Sequence, residues 1–296
     1  MNTATLPLSA TESGPSAPVG LRSRRLSLGT SSVHLIDEGE GAPVLFLHGN
    51  PDSSELWVPI IRAMGDGWRC LAPDLPGFGR STASPGFDCS LDGMAAFVDE
   101  LLRAAGIDEP VHLVVHDIGG PFGLAWAVKH PHQVRSLFIT NTVFTAEYRW
   151  HRLGRLWRMP LVGELVQALT TPRGFAHEMR RGSRRLSRAQ IEKTYAAIGP
   201  GTRRMILRWY RAMDPRHFAG WDDQLRVLAA RVPSLVIWGE HDPYIDRRFA
   251  ERFGAQGIEY APDSGHWLPA EEPALVADRL RRFCAAAQSA DPLSMR

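Results

Sequence analysis

The chain has 296 residues, 44% hydrophobic and 22% charged, the balance of an ordinary globular protein rather than a disordered or fibrous one. Its formal net charge of +2 gives no whole-chain case for nucleic-acid binding. The cysteines Cys70, Cys89 and Cys284 are far apart and odd in number, which argues against a disulfide framework or a Cys-x-x-Cys metal pair and fits a reduced, cytoplasmic setting.

Residues 1–20 are rich in Ser, Thr, Pro and Ala, with no basic start and no apolar core, so they read as a flexible tail rather than a signal peptide. Residues 24–29 and 32–37 read as two strands of a hairpin around Thr30 and Ser31. Short apolar runs at 44–47 and 70–73 read as buried strands, followed by His48-Gly49-Asn50-Pro51 and Asp74-Leu75-Pro76-Gly77. Residues 91–105 have helical spacing through Met94, Phe97, Val98, Leu101 and Leu102, and Gly106 is the stop. The stretch 111–123, VHLVVHDIGGPFG, reads as strand, tight turn and helix, the helical pattern beginning at Pro121. Residues 136–140 form a sixth strand that ends at Asn141.

From 145 to 215 the texture changes to helices with no clear strand. This block holds fifteen Lys or Arg against five Asp or Glu, a net +10, and the rest of the chain carries −8. Most of its arginines are expected on solvated helix faces, and a few could steer or bind an anionic substrate. Strands resume at 234–238 and 258–261, and a last helix spans 273–285. No stretch approaches the roughly 18 apolar residues of a membrane helix.

Strands alternating with helices predict a mostly parallel sheet covered on both faces. A helical block after the sixth strand predicts a cap. The division is then a tail (1–20), a core (21–144 and 216–296) and a cap (145–215). In such sheets a ligand sits at the carboxyl ends of the strands. Asn50, Asp117, Asn141, Asp242 and His266 all fall there.

The turn after the strand at 111–115 has the layout of a nucleophile elbow, with Asp117 at its centre. A carboxylate there can displace a leaving group from carbon, forming an ester that water hydrolyses. His266 is the candidate base to activate that water, and Asp242 the acid that fixes its tautomer, with Glu240 and Asp246 as rivals. The backbone N–H groups of Ile118 and Asn50 are the candidate oxyanion donors. Asn50 also offers its side-chain amide to a leaving group.

Together, HGNPDSSELW (48–57), DLPGFGRS (74–81), HDIGG (116–120), WGEHDP (238–243) and SGHWLPAEEP (264–273) resemble the α/β-hydrolase superfamily, within it the branch of haloalkane dehalogenases and epoxide hydrolases with an Asp nucleophile. The order nucleophile, acid, histidine matches that superfamily. The resemblance implies an α/β-hydrolase fold and an Asp117-His266-Asp242 triad acting on a small, largely apolar molecule. It implies no cofactor or metal, no nucleic-acid or membrane partner, and a monomer or homodimer.

HGNPDSS is most similar to haloalkane dehalogenases, where the Asn helps hold the halide, so haloalkane-type substrates come first and epoxides next. Two departures bear on that order. Dehalogenases usually carry Trp after the nucleophile, where this chain has Ile118; Trp150 or Trp157 of the cap could supply the missing donor. The segment Leu207-Arg208-Trp209-Tyr210-Arg211 is similar to the cap segment of epoxide hydrolases that supplies a ring-opening tyrosine. Tyr210 is thus a candidate acid, with Tyr148 or Tyr195 as its companion. Another α/β-hydrolase activity and a ligand-binding module are the remaining readings.

Overall fold

The computed structural model describes residues 20–183 and 185–289. Residues 1–19 of the expected tail lie outside the described residues. The strands β1 (Ser23–Leu28), β2 (Ser31–Gly39), β3 (Ala42–Leu47), β4 (Trp68–Pro73), β5 (Val111–Asp117), β6 (Val134–Thr142), β7 (Ser234–Gly239) and β8 (Gly257–Ala261) form one sheet in the order β1-β2-β4-β3-β5-β6-β7-β8. The first two pairings, β1 with β2 and β2 with β4, are antiparallel; the rest are parallel.

Alternation along each strand feeds two cores. On β3, Leu45 and Leu47 join one cluster and Val44 and Phe46 the other. The first cluster takes in α2 (Leu91–Ala105), α3 (Gly119–Lys129) and α9 (Trp221–Ala229); the second takes in α1 (Val58–Met64), α10 (Leu268–Glu271) and α11 (Pro273–Ser289). The central strands are therefore apolar on both faces and read as continuous runs. The helix α2 has the bounds its periodicity predicts. Ser90 caps its start by accepting from the Gly93 N–H, and Gly106 ends it in the left-handed region at φ 71°.

Between β6 and β7 stand α4 (Arg152–Arg158), α5 (Val162–Leu169), α6 (Pro172–Gly182), α7 (Arg188–Ala197) and α8 (Pro200–Ala212), with no strand among the described residues. This is the cap expected after the sixth strand. Two of its arginines are engaged rather than solvated. Arg208 donates to the carbonyls of Ser84 and Phe87. Arg158 donates to the carbonyls of Tyr210 and Met213 at 2.6 and 2.5 Å. Such guanidiniums satisfy main-chain acceptors at element ends, a task that helix periodicity does not reveal.

Smaller differences follow from turn chemistry. The hairpin turns on Gly29 and Thr30, with Gly29 at φ 53°. The helix after the elbow begins at Gly119, two residues before Pro121, and the last helix continues to Ser289.

Candidate functional site

Asp117 ends β5 with φ 46°, a conformation an L side chain rarely adopts and that costs about 1–3 kcal/mol. The sheet register shifts between His116 and Asp117, which turns the carboxylate out of the strand. Two glycines make the turn possible. A Cβ on Gly119 would run into the Leu47 carbonyl, and one on Gly120 into the Thr142 hydroxyl. That hydroxyl donates to the Asp117 carbonyl.

The Asn50 N–H donates to Asp117 Oδ1 at 2.7 Å. Its loop is held by His48, whose Nε2 accepts from the Leu75 N–H at 2.8 Å. The proton is then on Nδ1, which donates to the Gly49 carbonyl. Ile118 is the first residue of the turn into α3, at φ −64° and ψ −19°, and its side chain is buried in the cavity wall.

The other oxygen, Asp117 Oδ2, faces His266 Nε2 at 3.4 Å, and His266 Nδ1 lies 2.7 Å from Asp242 Oδ2. Asp242 is fixed from both sides. Its Oδ1 accepts from the N–H groups of Tyr244 and Ile245, and its Oδ2 accepts from Asn141 Nδ2 at 3.0 Å. Asn141, at φ 31°, also accepts from the Gly239 N–H and so ties β6 to the end of β7. The rivals are occupied elsewhere: Glu240 pairs with Arg247, and Asp246 accepts from the Arg248 N–H.

Burial opposes the charge on His266, but the Asp242 carboxylate, then that of Asp117, outweighs it and raises His266 to about 10. Burial likewise opposes the charge of Asp117, yet hydrogen bonding and attraction to His266 hold its carboxyl at about 2. Neighbouring His116 is lowered to about 3 by burial and stays neutral. Asp52, unremarked in the sequence, accepts from Trp267 Nε1 at 3.0 Å; burial and then the charge of Asp117 raise its carboxyl to about 7.

Above these residues lies a cavity of about 300 Å³, roofed by the cap and lined mostly by apolar and aromatic side chains. Tyr210, Trp150, Trp157 and Tyr148 all line it, together with Asn50, Ile118, Asp117 and His266. Their donors are not equivalent. Trp150 Nε1 donates to the Met213 carbonyl and the Tyr148 hydroxyl to the Tyr244 carbonyl, so neither is a free donor to a ligand. Main-chain acceptors claim these groups, which their residue types alone did not disclose. Tyr195, the other expected companion, donates to the Thr170 carbonyl. Trp157 Nε1 is buried with no partner.

Tyr210 is buried, and its phenol is raised well above 10 by burial and then by the charge of Asp117, which keeps it protonated. The Asn50 side chain, in the same cavity wall, works against that rise. His151, which the sequence reading passed over, lies with Nε2 3.4 Å from the Tyr210 hydroxyl. His151 Nδ1 accepts from the Gly154 N–H at 3.2 Å, so its proton is on Nε2 and points at the phenol oxygen. Burial lowers His151 to about 4, leaving it neutral at pH 7.

The strand-end carboxylate, the histidine between two acids and the capped apolar cavity define a hydrolase-type site on an α/β sheet. Residues 42–273 match the family model of the alpha/beta hydrolase fold, and the chain belongs to that family. It is 29% identical over 263 residues to haloalkane dehalogenase 2 of Mycobacterium tuberculosis, a match covering 83% of this chain and 88% of that one. It is 37% identical over 143 residues to a cis-3-alkyl-4-alkyloxetan-2-one decarboxylase of Xanthomonas campestris, covering 43% of this chain and 48%, about half, of the relative. It is 26% identical to epoxide hydrolase 3 of Xenopus tropicalis, covering 81% of this chain and 70% of that one. Among the described residues no helix is long and apolar enough to cross a membrane.

Proposed function

We propose that this hydrolase opens an epoxide through an ester on Asp117, with residues 145–215 acting as a cap domain over the reaction. The observation that carries the reading is the Tyr210 hydroxyl beside Asn50 and His151. It accepts from His151 Nε2, so its own proton is left to point into the cavity. An epoxide oxygen leaves as a poor alkoxide and needs such a proton, whereas a halide needs none. This reverses the order in which the motifs alone rank the two substrates.

In the proposed reaction Asp117 Oδ2 attacks a ring carbon and the carbon–oxygen bond breaks. The leaving oxygen takes the Tyr210 proton. Esterification removes the charge of Asp117, and with it one of the two carboxylates that hold His266 protonated. His266 releases its proton, which restores Tyr210 by way of solvent, and the neutral ring then deprotonates a water. That water attacks Asp117 Cγ, and the charge that develops on Oδ1 meets the Asn50 N–H and the main-chain N–H at Ile118. Collapse frees the carboxylate and a diol, so the sum is epoxide plus water. Asp242 keeps His266 in the tautomer with Nδ1 protonated.

Tyr210→Phe tests the assignment. Loss of a donor to a developing oxyanion costs about 2.7–4 kcal/mol, or roughly 10²–10³ in rate. Single-turnover alkylation by styrene oxide should fall by about that factor; an unchanged rate would remove Tyr210 as the acid.

One observation favours a second reading, hydrolytic dehalogenation. The buried, unpartnered indole N–H of Trp157 lies in the cavity wall and could join Asn50 in holding a halide. Trp157→Phe should then abolish chloride release from 1-chlorohexane while leaving epoxide opening largely intact. If the wild type releases no chloride, this reading fails.

A further inference from the structure

The cavity has a second polar spot, remote from the proposed chemistry. Gln167, on α5, is buried, and its Nε2 amide has no hydrogen-bond partner although the side chain lines the cavity. Beside it stands Arg203, half-buried in the same wall, which donates to the Gln167 carbonyl and approaches its Oε1 at 3.5 Å. Among the described residues no carboxylate pairs with this guanidinium. Glu178, an acidic residue in the same cavity wall, is paired with Arg181 at 3.2 Å.

Burying amide donors without an acceptor costs on the order of 1–3 kcal/mol. A guanidinium with free donors beside such an amide is suited to a planar oxygen pair. Arg203 and Tyr210 lie seven residues apart on α8, nearly two full turns, so they share a face and are about 10 Å apart along the axis. Ile206 lines the cavity between them.

We propose that Arg203 and Gln167 form a subsite for the carboxylate of an amphiphilic substrate, whose apolar chain spans the cavity and whose reactive carbon meets Asp117. Apolar walls take up the chain, the guanidinium and amide take the two carboxylate oxygens, and the spacing sets which carbon reaches the nucleophile. The net +10 of residues 145–215 adds long-range attraction for such an anion. The proposal rests on the cavity being the substrate site and deepens the ring-opening reading by naming a substrate class.

The test is binding, which needs no turnover. Octanoate, decanoate and dodecanoate, each beside its methyl ester, are titrated calorimetrically into the full chain. The wild type should bind at least one acid about tenfold or more tighter than its ester, the range expected of a charge-assisted hydrogen bond. Arg203→Met should erase that preference with ester binding unchanged, Arg203→Lys should keep part of it, and Gln167→Leu should weaken the acid alone. If Arg203→Met does not fold, Gln167→Leu carries the comparison. Equal affinity for acid and ester in the wild type, no binding of either, or a preference that survives the variants would overturn the subsite. A protein that opens epoxides but binds acid and ester alike refutes the subsite and leaves the reaction standing. One that prefers the acid yet opens no epoxide does the reverse.

Discussion

Asn141 illustrates what one side chain holds together. It donates to Asp242 and accepts from Gly239, so it fixes that carboxylate without touching the cavity. Asn141→Ala removes a hydrogen bond to a charged group, worth about 1.5–3 kcal/mol. Hydrolysis of the ester should slow roughly tenfold or more, while single-turnover alkylation of Asp117 stays near wild type. Equal slowing of both steps would mean that Asn141 acts on the fold rather than on the acid. Asp117, Asp242 and His266 were legible because each sits in a short motif at a strand end. The link that brings Asp242 rather than Glu240 to His266 is a contact between distant segments, which spacing alone leaves open. His151 was illegible for a related reason. Its placement depends on the Gly154 N–H donating to Nδ1 and on α8 presenting Tyr210 in the right phase.

The elbow depends on the close approach of α3 to β3 and β6. Gly120 packs where any Cβ would meet Thr142, whose hydroxyl holds the Asp117 carbonyl. Gly120→Ala should destabilise the chain by about 1–3 kcal/mol, the usual cost of overpacking, read as a lower urea midpoint. Adding Thr142→Ala should recover part of it; no recovery would place the strain elsewhere. The sheet was readable from its apolar runs, and α2 to the residue, because local periodicity and caps decide them. The cap was readable as helical but not in its arrangement. Its helices are held by Arg158 and Arg208 bonding to carbonyls far along the chain, and its aromatic residues divide into free and engaged donors only once packed.

Across the whole molecule buried titratable groups shape the pH response, and the contribution of Asp52, raised to about 7, is lost as pH rises from 3.8 toward 7. His112, fully buried, is lowered to about 3 by burial, so acid must charge it and its stabilising neutrality is lost as pH falls below 6.5. His266 is raised to about 10, so its contribution is complete below 6.5 and lost as pH rises toward that value. His112→Leu should therefore make the midpoint fall less, relative to wild type, between pH 7 and pH 5; urea midpoints of both proteins at those two pH values check this. A His112→Leu variant that keeps the wild type's drop between pH 7 and 5 would contradict the acid direction, and a wild-type midpoint still climbing from pH 7 to 9 the alkaline one. The central claim, an ester on Asp117, is tested most directly by the intact mass of the His266→Gln chain after incubation with styrene oxide. The account predicts a protein heavier by one whole epoxide, with the addition on the peptide that carries Asp117 and none in Asp117→Ala. An unmodified His266→Gln chain, under conditions where the wild type forms the diol, would contradict it.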